Sequence, residues 1–122
     1  LVTGVQTCAL PICRDFTYID NVIQMNMLAM TTTNPNATNQ VYNTAFGERT
    51  TLNQLVGYLK EFLSEFDPEI ANVKIIHGPN RLGDIPHSLA CIDKAKSLLG
   101  YNPQYSMRDG LKEAVKWYWK NI

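Results

Sequence analysis

The stretch RLGDIPHSLACIDKAKSLLGYNPQYS at 81–106 fixes the reading of this chain, because its starts and stops follow helix-capping chemistry. Asp93 can cap a short helix over 94–99, Gly100 stands at the position just past its end where left-handed backbone is tolerated, and Pro103 blocks continuation. Ser106 then opens a last helix, with Met107, Leu111, Val115 and Tyr118 as a buried stripe and Lys112, Lys116 and Lys120 opposite. Ahead of the short helix the chain is mostly loop. There GPNRLGDIPHS at 78–88 sets one arginine and one aspartate around a glycine, directly after VKII at 73–76, a short β-branched strand bounded by a Gly-Pro turn.

Upstream, Thr51 and Gln54 form a capping box for the strongest predicted helix. Its Leu52, Leu55, Val56, Leu59, Phe62, Leu63 and Phe66 line one face, and Pro68 closes the region. QVYNTAF at 40–46 alternates as a strand should, ended by Gly47. Further back, TTTNPNATNQ is a polar loop broken by Pro35. It comes after a helix that Asp20 should cap and that runs to about Thr31, with Val22, Ile23, Met27 and Met30 at helical spacing. An extended piece at 15–19 precedes that helix.

The 122 residues, 45% of them hydrophobic, suffice for one modest domain with a core but not for two. Eleven basic and eleven acidic side chains cancel, so no long-range field favours nucleic acid or an anionic membrane, and any anion must be held by a few placed arginines. Cys8, Cys13 and Cys91 are odd in number and lack metal-like spacing, which argues against a secreted disulfide scaffold and for a reduced cytoplasmic setting. No apolar run approaches the ~20 residues that cross a bilayer, and the start has no signal-peptide pattern. The opening LVTGVQTCALPIC, 1–13, does not share the pattern that begins at Arg14. It resembles a translated sequencing-library adapter and is set aside as a non-native leader; a native strand at 1–5 is the alternative.

The 78–88 loop is the natural place to look for chemistry. Guanidinium offers a planar fork of donors to phosphate oxygens, and a carboxylate can accept from vicinal ribose hydroxyls, so Arg81 and Asp84 could grip adjacent parts of a sugar nucleotide. Gly83 would let backbone come close, and Arg14 supplies a second guanidinium. On spacing alone, a surface salt bridge between Arg81 and Asp84 is the simpler reading. His77, His87 and Cys91 lack a fourth ligand and paired spacing, so no zinc site is expected. Adjacent helical positions point different ways, so Trp117, Tyr118 and Trp119 read as core and boundary packing, not a sugar-stacking platform. Packing is likewise the default for Tyr42 and Asn43.

Taken in order, RDFTYID (14–20), VYNTAFGERTTLNQL (41–55), the 81–106 run and GLKEAVKWYW (110–119) are similar to the C-terminal part of extended short-chain dehydrogenase/reductases. The chain most resembles their UDP-N-acetylhexosamine (UDP-GlcNAc/UDP-GalNAc) 4-epimerases of surface-polysaccharide synthesis. The resemblance covers 14–122, and the R-x-x-D loop followed by S-x-x-x-x-K-A and L-G-Y-x-P is specific for the superfamily. It implies that Arg14 and Arg81 contact a UDP diphosphate, that Asp84 binds the uridine ribose, and that Ser88 leaves room beside hexose C2 for an N-acetyl group, where a tyrosine in relatives closes the pocket. Family members often carry aspartate where Cys91 stands.

The resemblance further implies an α/β fold, the C-terminal fragment of a Rossmann-like enzyme with a small α/β substrate lobe. Residues 14–72 would be a remnant of the cofactor domain, one strand and two helices, and 73–122 the substrate-binding lobe. The intact enzyme would use NAD, act on a UDP-sugar, and form a homodimer in the cytoplasm. The sequence itself holds no glycine-rich G-x-x-G-x-x-G turn to receive the cofactor pyrophosphate and no Tyr-x-x-x-Lys pair to act as general base, so no catalytic or cofactor-binding residue is assigned. A sugar-nucleotide decarboxylase or dehydratase on the same scaffold and a free-standing binding module are the rival readings.

Overall fold

The structure is a computed structural model that describes residues 4–8, 12–79 and 85–122. Among the described residues, four helices and four short strands alternate in an α/β arrangement: β1 (Gly4–Cys8), β2 (Cys13–Arg14), α1 (Ile19–Thr31), β3 (Thr50–Thr51), α2 (Leu52–Ser64), β4 (Lys74–Gly78), α3 (Asp93–Leu99) and α4 (Met107–Asn121). β1 pairs in parallel with β4, Gly4 opposite Lys74 through Cys8 opposite Gly78, and β2 pairs antiparallel with β3, Cys13 opposite Thr51. Strand β1 thus lies within the segment set aside as a leader. Ile12 and Cys13 are buried, so the packed unit begins before Arg14.

Local chemistry accounts for the helix ends. The Thr51 hydroxyl accepts from Gln54 N at 3.1 Å while the Gln54 side chain accepts from Thr51 N at 2.8 Å, the reciprocal box expected at the start of α2. Ser106 accepts from Asp109 N and opens α4. Gly100 ends α3 at φ 67°, ψ 25°, and its amide bonds back into the last turn. Helices α1 and α3 depart from expectation: Tyr18 and Ile92 take the N-cap positions without a side-chain bond, and Asp20 and Asp93 sit inside the first turns, where their charge still favours the helix dipole.

Three expectations about faces and strands are corrected. Segment 40–46 is not a strand, because its polar backbone groups are taken by side chains instead of a ladder. Lys94 Nζ donates to Val41 O at 3.0 Å, the Tyr101 hydroxyl to Ala45 O at 2.8 Å, and Phe46 N donates to the Asp15 carboxylate. In α1 the buried positions are Asn21 and Met25, whereas Ile23, Met27 and Met30 face outward. In α4, Met107, Gly110 and Val115 are buried, but Tyr118 is exposed. Lys112 also departs from the outward row, since its Nζ lies 5.7 Å from the Phe62 ring centre and 3.8 Å from Glu65 of the turn after α2.

Met25, Ala37, Ala45, Ile92, Ala95, Leu99 and Tyr101 form one buried cluster, which draws on residues from both sides of the 72/73 division. Helix α4 packs on α2, and its approach to the 15–18 segment is close enough that a Cβ on Gly110 would stand 2.5 Å from Tyr18 Cβ. Both contacts place the start of α1 and the segment before it against the second half of the chain.

Candidate sugar-nucleotide site

Strand β2 is the foundation of the site. Cys13 N donates to Pro86 O at 2.8 Å and Ser88 N donates to Cys13 O at 3.3 Å, with a parallel bridge between Cys13 and His87. The end of the 78–88 loop therefore runs alongside β2 as a short added strand. Arg14 locks it from the next position: its Nη1 donates to Ile85 O at 2.7 Å and to Cys13 O at 2.9 Å. A guanidinium has five N–H donors, and the structure uses one nitrogen on these two carbonyls, so Nε and Nη2 remain without an acceptor among the described residues.

Two of the four residues named from the sequence, Arg14 and Ser88, are brought to the same short ladder. Ser88 is exposed, and its hydroxyl has no hydrogen-bond partner among the described residues, so it does not cap local backbone there. Arg81 and Asp84 lie outside the described residues. The imagined zinc ligands are occupied separately: His77 Nε2 meets Asn53 Oδ1 at 3.2 Å, and the Cys91 thiol donates to Asp93 at 3.5 Å. Among the described residues no group of three or more His, Cys, Asp or Glu could hold a metal ion, and no helix is long and apolar enough to cross a membrane.

Sequence reading missed two polar residues that shape this region. Asp15 gathers three backbone amides on one carboxylate: Phe46 N at 3.3 Å, Gly47 N at 3.1 Å and Ala90 N at 3.4 Å. Asn21, 1% exposed, accepts from Gln104 N and Tyr105 N and donates to Tyr105 O at 2.7 Å, so it fixes the loop before α4. Asn21 had a signal, since it falls in helical phase with Met25 and Leu28. Asp15 had none beyond its place next to Arg14. Burial, and then the neighbouring Asp15 charge, push the Tyr101 phenol above its ordinary value, and burial followed by Asp20, Glu113 and Tyr105 does the same for Tyr18.

A concavity of about 150 Å³ opens elsewhere, between Phe16, Tyr18, Leu55, Met107, Leu111 and Ala114. It is lined by apolar groups and lacks the charged donors a diphosphate needs. The segment along β2, with a held arginine and a hydroxyl that has no partner among the described residues, is the better candidate for an anionic sugar derivative.

Known proteins share this fold. A UDP-glucose 4-epimerase from Thermotoga maritima, solved with UDP-glucose, superposes with a TM-score of 0.80 at 34% identity over 97% of this chain and 35% of its own. The fold is that of the nucleotide-sugar epimerases. A UDP-N-acetylglucosamine 4-epimerase from Methanobrevibacter ruminantium, solved with UDP-N-acetylmuramic acid, gives a TM-score of 0.79 at 26% identity over 98% of this chain and 36% of its own. In sequence, a curated protein of Methanocaldococcus jannaschii described as a putative UDP-glucose 4-epimerase is 30% identical over 88% of the chain. The chain spans about a third of the length of these relatives, 32% in the last case. No protein-family profile matches it. The expected α/β class, as seen in Rossmann-like epimerases of the short-chain dehydrogenase/reductase type, is therefore the observed one.

Proposed function

We propose that the chain forms the sugar-nucleotide-gripping part of an NAD-dependent UDP-N-acetylhexosamine 4-epimerase and has no turnover by itself. The observation that carries this reading is Arg14, fixed on Ile85 O at the base of the loop that contains Arg81 and Asp84 and ends at Ser88. A guanidinium held in this way keeps its remaining donors for a diphosphate, and pre-ordering lowers the entropy lost on binding. Arg81 would be the second phosphate contact, Asp84 the ribose acceptor, and Ser88 the small residue beside an N-acetyl group. The likeness to epimerases solved with UDP-glucose and with UDP-N-acetylmuramic acid supports a UDP-sugar as substrate.

NAD, which the family resemblance implies, does not fit the residues present. The sequence has no glycine-rich phosphate turn and no Tyr-x-x-x-Lys pair, so no hydride or proton step is assigned to this chain. Its contribution is to bind and orient the nucleotide and to select the sugar.

Titration of the ¹⁵N-labelled chain with UDP-N-acetylglucosamine tests the reading. Amide signals of Arg14, Ile85, His87 and Ser88 should move together, and Arg14→Ala should weaken binding roughly tenfold or more, the equivalent of a charged hydrogen bond worth ~1.5 to 3 kcal/mol. Shifts scattered away from these amides, or an affinity that Arg14→Ala leaves unchanged, would refute it.

A further inference from the structure

The three residues 13–15 each hold a different point on the segment that carries Ser88. Arg14 takes Ile85 O, Cys13 takes Pro86 O and Ser88 N, and Asp15 takes Ala90 N. Cys13 and Arg14 also pair with Thr51 and Thr50 of β3, while Asp15 reaches the turn at Phe46 and Gly47. Glycine suits that turn: Gly47 adopts φ +88°, and a Cβ there would stand 3.1 Å from Cδ1 of the buried Ile92. The carboxylate thus ties the far end of the Ser88 segment to the turn that directly follows the buried Ala45.

We propose that Asp15 is a positioning residue for Ser88, and through it a determinant of which C2 substituent the sugar nucleotide carries; this rests on the Ser88 reading above. The chemistry favours positioning over ligand contact. One carboxylate that accepts from three amides has most of its lone-pair sites engaged, and an amide side chain could satisfy only part of the set. Asp15→Asn keeps the volume but offers one acceptor oxygen instead of two; at Oδ1 it keeps Phe46 and Gly47 and drops Ala90, and at Oδ2 it keeps Gly47 and Ala90 and drops Phe46. With the oxygen at Oδ1, where it serves both amides of the turn, the Ser88 segment is held at Cys13 and Arg14 but loose at Ala90, two residues beyond Ser88.

Hydrogen exchange read by NMR on the complete chain provides the test. In Asp15→Asn the amides of Ser88 and Ala90 should exchange roughly tenfold faster or more, while those of Val56 and Val115 in α2 and α4 keep their wild-type rates. No change at Ser88 and Ala90, or an equal acceleration at Val56 and Val115, overturns the proposal, the second outcome because it marks a purely global effect. Should the variant fail to fold, wild-type protection decides: slow exchange at Ala90 and Gly47 supports the tie, and free-peptide rates there overturn it. The functional arm compares dissociation constants for UDP-N-acetylglucosamine and UDP-glucose. The wild-type preference should fall to within about twofold in Asp15→Asn, and a fully retained preference overturns the specificity role. A wild-type chain that binds neither sugar nucleotide refutes the proposed function, whereas the exchange result still judges the tie independently.

Discussion

At the scale of single residues, the positions that organise this chain are those where chemistry and geometry leave one choice. Gly110 is the sharpest. It stands in the buried face of α4 against Tyr18, whose ring also tilts against Tyr105 at 5.1 Å between centres, and a Cβ would fall 2.5 to 2.8 Å from three Tyr18 atoms. Two of those atoms are the Tyr18 Cβ and Cγ, near the backbone, so the ring cannot simply swing aside. Gly110→Ala should therefore cost about 1 to 3 kcal/mol despite its gain in helix propensity, read as a lower urea midpoint with an unchanged slope. A stabilised variant would show that the contact relaxes freely. From the sequence, Gly110 was visible only as the first residue of a motif, because no local pattern reveals what packs on a helix from elsewhere. Arg14 was legible as a second guanidinium for an anion, whereas Ser88 stood out only through the family resemblance, because a serine in a loop has many structural uses. Asp15 was not, because its partners at Phe46, Gly47 and Ala90 are distant in sequence.

At the scale of elements, what could be read was whatever is decided locally. The capping box of α2 and the Ser106 start of α4 arise from side chains three residues from the backbone they satisfy, and the end of α3 from the freedom of Gly100 to take left-handed backbone. Removing the first is the direct check: Thr51→Ala should destabilise by about 1 kcal/mol and loosen amide exchange in the first turn of α2 before the rest of the helix. Equal protection along α2 in both proteins would mean that packing, not the cap, fixes this end. Two local caps, at Asp20 and Asp93, were misplaced by one or two residues, and the larger misreadings are of elements decided at a distance. Alternation at 40–46 suggested a strand, but a strand needs a neighbour's ladder, and here Lys94, Tyr101 and Asp15 supply the partners instead. The apolar spacing of Ile23, Met27 and Met30 was real, yet tertiary packing buried the adjacent stripe because Asn21 could satisfy three backbone groups of the loop before α4. Hydrophobic pattern names the candidate faces of a helix, and hydrogen-bond satisfaction can choose among them.

At the scale of the whole molecule, a single buried phenol links the two halves of the chain and gives the fold a pH signature. Tyr101, 1% exposed, lies just past α3 and donates to Ala45 O at 2.8 Å, and it belongs to the cluster that also contains Met25 and Ile92. Burial, then the Asp15 charge, raise its ionisation above the ordinary 10.0. In that interval the unfolded chain has released the phenolic proton while the folded chain keeps it, so the native state binds more protons and stability falls as pH rises. The contribution is complete below pH 10.0 and is lost as pH climbs through the folded value. Replacing the residue separates this effect from other alkaline losses. Tyr101→Phe should cost about 1 to 3 kcal/mol near neutrality, because Ala45 O is left without its donor, yet it should lose less with further alkalinity than the wild type. Urea unfolding from about pH 8 to 11 would show two curves that converge. Curves that stay parallel across that range would mean that Tyr101 ionises alike in both states and does not tie the 45–47 turn to the core as the geometry requires.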